Sequence, residues 1–285
     1  MRFWHFRFLL IVISFQTVHP SSGSAADNSR SDSVDVLEYR IHLDVTDYTG
    51  KTISGWCVVS FKSKIENLPF IDLDLLQLNV DSVTQDGQPL AFGYNDTTLR
   101  VNLASVLHTG DSADVIVYYR GTPVQDSGGW GGWYWSGNYS FCLSVALTDL
   151  PHNFGRSWFP CVDNFVERAT YQFAIVTDSD KMALCGGDLT SAMDNGDGTI
   201  TWSWELPQTI PSYLAGVAVN NYAPAYGAYV SITGDTLPIV YGATAADTTK
   251  LKNSFLNLPA ALLAFEQAFG PYRWSKVGYC ITTVG

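Results

Sequence analysis

Arg156 and Asp163 stand seven positions apart inside the run GRSWFPCVDNFVERATYQF, Gly155 to Phe173. A guanidinium and a carboxylate this close in sequence can close a loop as a charge-assisted pair. The pair reads as structural rather than catalytic. Trp158, Phe159, Pro160 and Cys161 stand between the two charges, and Glu167 and Arg168 flank the strand that follows. Metal chemistry needs clustered ligands. Asp72 and Asp74 look like a ligand pair, yet they alternate with Ile71, Leu73 and Leu75, which puts both on the wet face of a strand as solvated carboxylates. The five histidines are His5, His19, His42, His108 and His152. None is followed by Glu and then a second His one helical turn on, the spacing that holds a catalytic zinc. His42 falls on the polar face of a strand and reads as a solvated side chain.

Thiol and aromatic chemistry come next. Five cysteines, Cys57, Cys142, Cys161, Cys185 and Cys280, are an odd number, so at least one is free. Cys161 and Cys185 flank the strand that follows the Arg156 to Asp163 run and could meet across a turn. A disulfide there and a set of buried, unpaired thiols are the two readings. The stretch GGWGGWYWSGNY, Gly128 to Tyr139, joins permissive backbone to flat apolar rings at Trp130, Trp133, Tyr134 and Trp135. It is either a glycan- or peptide-binding platform or a lip leading into a strand over Tyr139 to Val145.

The elements that must position these groups are mostly strands. With 46% apolar and 14% aromatic residues, the 285-residue chain can bury a large β-rich core. Its formal charge of −11 and scattered Lys and Arg predict no nucleic-acid partner. Arg2 and Arg7, the apolar run Phe8 to Phe15 and the small residues Ser22 to Ala26 predict a signal peptide over 1–26, hence a secreted or periplasmic protein. No apolar run is long enough to cross a membrane as a helix. A disordered leader over 27–33 follows.

Leu37, Tyr39, Ile41, Leu43 and Val45 alternate with polar residues, as do Ile53, Cys57, Val59 and Phe61. Asp86-Gly87 and the Asn195 to Gly198 run are turn signals between further short strands. The fold class predicted is mainly β, a saddle-shaped sandwich. The period then changes: Leu251, Phe255, Leu258, Leu262, Phe265 and Phe269 lie on one helical face, broken near Leu258, with Pro259 opening a second helix and Gly270 ending it. Val277 to Val284 reads as a final strand. The change of period puts a domain boundary near 242, with a β domain over 34–242 and a second unit over 243–285.

The run Arg156 to Asp163, R-x-W-F-P-C-x-D, resembles the segment at the heart of the N-terminal β domain in zinc aminopeptidases of the aminopeptidase N family. The strand order before it and the run Ala268 to Gly285 are similar to that family too. The resemblance covers residues 34 to 285. It implies that 243–285 is the first strand-helix-strand fragment of a thermolysin-like α/β catalytic domain, ending just before the family's G-A-M-E-N or G-A-M-E-H motif, with Gly285 at its first Gly. The zinc site would then lie in a catalytic domain beyond this sequence, with no cofactor in this chain. The resemblance also implies a peptide substrate whose free amine meets a side chain seven residues before the signature Arg, here Asp149. The family has Gln or Glu at that position and Glu where this chain has Asn164. A secreted binding module using the Gly/Trp loop is the alternative.

Overall fold

Alternating burial builds the largest sheet of the computed structural model, which describes residues 28–283. The expected signal peptide and Gly285 lie outside the described residues. In the Val34–Asp44 strand, Tyr39, Ile41 and Leu43 point inward and are almost fully buried. Each such side chain contributes roughly 1.5–3 kcal/mol of burial. The partner strand Ile53–Ser63 repeats the pattern with Ile53, Cys57, Val59 and Phe61. Leu37 breaks the alternation and is exposed. A β-bulge between Val36 and Glu38 slips the register by one residue there, so Val36 takes the inward position instead.

Eight strands make this sheet, in the order Asp188–Asp194, Thr199–Ile210, Ala169–Asp178, Val34–Asp44, Ile53–Ser63, Ser112–Gly121, Asn79–Gln85, Gln88–Pro89. The strand after the Arg156 run, Ala169–Asp178, lies parallel to the first strand, with Tyr39 beside Tyr171 and Ile41 beside Phe173. A three-stranded sheet, ordered Leu68–Asp74, Thr98–Leu107, Phe92–Tyr94, and a four-stranded sheet, ordered Met182–Cys185, Val217–Asn220, Tyr139–Leu143, Gly132–Ser136, complete the β part. Asp86 and Gly87 both take positive φ in the tight turn predicted for them.

A second, smaller core gathers Tyr229, Leu237, Ile239, Tyr241, Leu258, Leu262 and Val277. Its sheet is Ala225–Val230, Thr236–Gly242, Val277–Cys280. The second core therefore starts at about residue 225, ahead of the change in period. Two hairpin strands have the same period whichever core they face, so alternation does not reveal which one they join. The helices fall at Thr248–Ser254 and Leu258–Phe269, with Pro259 in the first turn and Gly270 at positive φ ending the second. No helix among the described residues is long and apolar enough to cross a membrane.

The stretch expected as a leader is described from residue 28 onward. Arg30–Ser33 forms a helical turn, and Arg30 reaches Asp74 at 2.6 Å while Asn164 donates to the Ser31 hydroxyl.

Candidate functional site

The Arg156 run is a buried lock. The guanidinium Nη1 donates to the Asp163 carboxylate at 3.1 Å and to the Asn153 carbonyl, and Nη2 donates to the Pro151 carbonyl at 3.0 Å. The Arg156 backbone N–H donates to the same carboxylate, and the Ser212 hydroxyl donates to its other oxygen. Burial pushes the Asp163 carboxyl above its ordinary value, with Arg156 and Ser212 pulling the other way. Trp158 and Phe159 enter the main core with ring centroids 4.5 Å apart, and the Trp158 indole donates to Ser144. The backbone N–H of Val162 donates to the Tyr39 hydroxyl, which ties the lock to the first strand. Glu167 accepts from the Val36 N–H at 2.7 Å. These contacts hold the loop and leave no titratable group of the lock open to substrate.

Asp74 belongs to this lock rather than to solvent. It accepts from Arg30 and from the Asp163 backbone N–H, and its strand bridges Cys161. Asp72 is bidentate to Arg100 at 2.7 and 2.8 Å. His42 is half-buried. It lies flat on Trp56, with ring centroids 5.2 Å apart, and burial lowers its pKa. Alternation identified the outward face in each case, but it carries no record of what a neighbouring strand or loop lays over that face.

All five cysteines are free, so the Cys161–Cys185 bond is absent. Cys161 pairs its backbone with Asp74 inside the lock, while Cys185 ends a strand of the four-stranded sheet. The strand between them leads away from the lock and does not return to it. Burial pushes both thiols well above the ordinary range, which makes them inert small hydrophobes.

Asp149 sits beside the lip. Its carboxylate accepts from the Ser127 hydroxyl at 2.7 Å and from the Ser127 N–H at 3.2 Å. The loop that carries it is clamped from two sides. Asp126, almost fully buried, accepts from the N–H groups of Leu147, Thr148 and Asp149. Burial pushes the Asp126 carboxyl up, but these donors outweigh it and hold it below its usual value. Arg156 holds the far end through Pro151 and Asn153. The lock residues and Asp149 are thus joined through one loop.

The lip itself is a hairpin, Gly132–Ser136 against Tyr139–Leu143. Gly131 and Gly132 take positive φ where a Cβ would lie within 2.3 Å of the carbonyls of Val145 and Val124, so only glycine fits. Trp133 is buried and donates to Ser140, Trp135 packs edge-on to Tyr48, and Tyr134 stacks on Phe141. Of the three tryptophans only Trp130 is exposed. With Trp133 in the core, Trp130, Tyr134 and Trp135 are rings of this stretch that keep exposed surface.

Among the described residues no three His, Cys, Asp or Glu side chains come together as a metal-ligand set.

The arrangement defines a class of domain: a mainly β module whose loops are fixed by a buried Arg–Asp lock, beside a second, smaller core of one three-stranded sheet and two helices. Residues 36–214 match the family model described as Peptidase M1 N-terminal domain, and the chain belongs to that family. No curated protein matches the sequence. In fold it is similar to an M1 zinc metallopeptidase mutant from Deinococcus radiodurans bound to a Tyr-Ser-Ala substrate, at 24% identity and TM-score 0.74 over 86% of this chain and 56% of that one. It is similar to Legionella pneumophila aminopeptidase A in complex with aspartic acid, at 14% identity and TM-score 0.74 over 91% of this chain and 30% of that one. It also resembles leukotriene A4 hydrolase from Saccharomyces cerevisiae, at 18% identity and TM-score 0.67 over 88% of this chain and 38% of that one. The chain thus spans little more than half the length of the Deinococcus metallopeptidase.

Proposed function

We propose that this chain is the cleft-capping N-terminal domain of an exported zinc metallo-aminopeptidase that removes N-terminal residues from peptides. Family membership supports the class, and the Deinococcus relative was solved with a peptide bound. The observation that carries the reading is the fixing of the Asp149 loop. Asp126 holds its start and Arg156 its end, so a carboxylate is presented at the lip in one position. An ammonium is the natural partner for such a group. Asp149 holds the free amine of the peptide. Zinc and the activated water belong to polypeptide outside this sequence.

The test joins this chain to the polypeptide encoded beyond codon 285. The joined protein should release N-terminal residues from aminoacyl nitroanilides, lose that activity to a chelator and regain it with zinc. No turnover at saturating zinc overturns the proposal. In the active protein, Asp149→Asn should raise KM by roughly tenfold or more for substrates with a free amine, the cost of weakening one hydrogen bond to a charged group. An unchanged KM removes Asp149 from the role.

A further inference from the structure

A cavity of about 600 Å³ lies between the four-stranded sheet and the second unit. Its walls are apolar for the most part and include Leu206, Val217, Trp204 and Trp274. One cation enters it. The Lys276 ammonium donates to the Cys185 carbonyl at 3.0 Å and lies 4.1 Å above the centre of the Trp204 ring. Among the described residues no carboxylate forms an ion pair with it. Asp188 acts on it only through space, and the thiols of Cys142, Cys185 and Cys280 and the phenols of Tyr272 and Tyr279 are the other titratable groups on the cavity wall. Burial lowers the Lys276 pKa to about 8. An ammonium in an apolar recess without a counter-charge is an expensive arrangement. It becomes favourable when a ligand brings the missing anion.

We propose that this cavity binds an apolar monocarboxylate, whose hydrocarbon body fills the space against Trp204, Trp274 and Val217 and whose carboxylate pairs with Lys276. The volume falls in the range of small-molecule pockets, which join apolar walls to a few placed polar groups. Two sources share this chemistry, a free acyl chain and the C-terminal residue of a peptide.

Titration of the chain with decanoate, decanol, N-acetylphenylalanine and N-acetylphenylalanine amide, followed by tryptophan fluorescence at pH 7, tests the assignment. Each acid should bind with one-to-one stoichiometry and at least about tenfold tighter than its neutral counterpart, the worth of one charge-assisted pair. Tighter binding of decanoate assigns the site to acyl chains, and tighter binding of N-acetylphenylalanine assigns it to peptide C-termini. The preference for acids should fade as pH rises through 8, where the ammonium loses its proton. Lys276→Met should erase the preference while decanol binding stays. Should that variant fail to fold, the pH series on the unaltered chain decides alone. No saturable binding, equal binding of acid and neutral partner, or a preference that persists at pH 10 overturns the proposal.

Discussion

Removing the Arg156 charge leaves the buried Asp163 carboxylate without a counter-charge, held only by the Ser212 hydroxyl and the backbone N–H of residue 156. The Asp163 side chain is fully buried and that of Arg156 nearly so. Breaking such a pair from one side costs about 3–5 kcal/mol. Arg156→Met should therefore lower stability by that amount in urea unfolding, with Asp163→Asn milder because Ser212 and the Arg156 N–H keep a polar partner. A loss below ~1 kcal/mol for Arg156→Met would remove the lock from the account. The seven-residue spacing made the pair legible in the sequence, as did the crowding of aromatics between its members. The third carboxylate was not legible. Asp74 is 89 residues from Asp163, and only the folded sheets bring it to that backbone. The aromatic loop misleads for a related reason. Glycine and tryptophan composition announces surface rings, but it cannot tell a ring aimed at solvent from Trp133, which fills the core against Trp158.

The Leu258–Phe269 helix shows both success and failure at the next scale. Its break, its Pro and its terminal Gly all follow from local backbone rules. The buried face does not. Leu258, Leu262 and Glu266 turn inward, while Phe265 and Phe269 are exposed and stack on each other 6.1 Å apart. Periodicity favours the phenylalanines because a carboxylate counts as polar. Glu266 is buried because four donors meet it: the hydroxyls of Tyr229 and Ser231 and the N–H groups of Ile232 and Tyr272. Burial pushes its pKa up, but the donors prevail and hold it at about 2. A carboxyl lowered in the folded state stabilises fully above its unfolded value near 4.5, and the effect is lost as pH falls from there toward 2. The second unit should therefore unfold with acid across that window, read by near-ultraviolet circular dichroism. Glu266→Gln should flatten the pH dependence and lower stability at pH 7. An unaltered acid profile in the variant would assign the transition to other carboxylates.

At the scale of the whole molecule, the two cores are unequal. The main cluster among the described residues holds forty buried apolar residues, and the second holds seven. Stability within one protein follows such local differences in burial, so regions with few buried contacts open at lower free energy. The strands Val34–Asp44 and Ala169–Asp178 lie at the centre of the large sheet and should exchange their amides only by global unfolding. The Leu258–Phe269 helix should exchange faster by a factor of roughly 10² or more, an opening energy lower by about 3 kcal/mol. A protease that cuts after aromatic residues should find Phe265 and Phe269, both well exposed, before it reaches Trp158 or Phe159, which have no exposed surface. The β core should survive as a fragment ending near that helix. A first cut inside the Arg156 run, or equal protection of helix and central strands, would show that the two cores stand and fall as one cooperative unit.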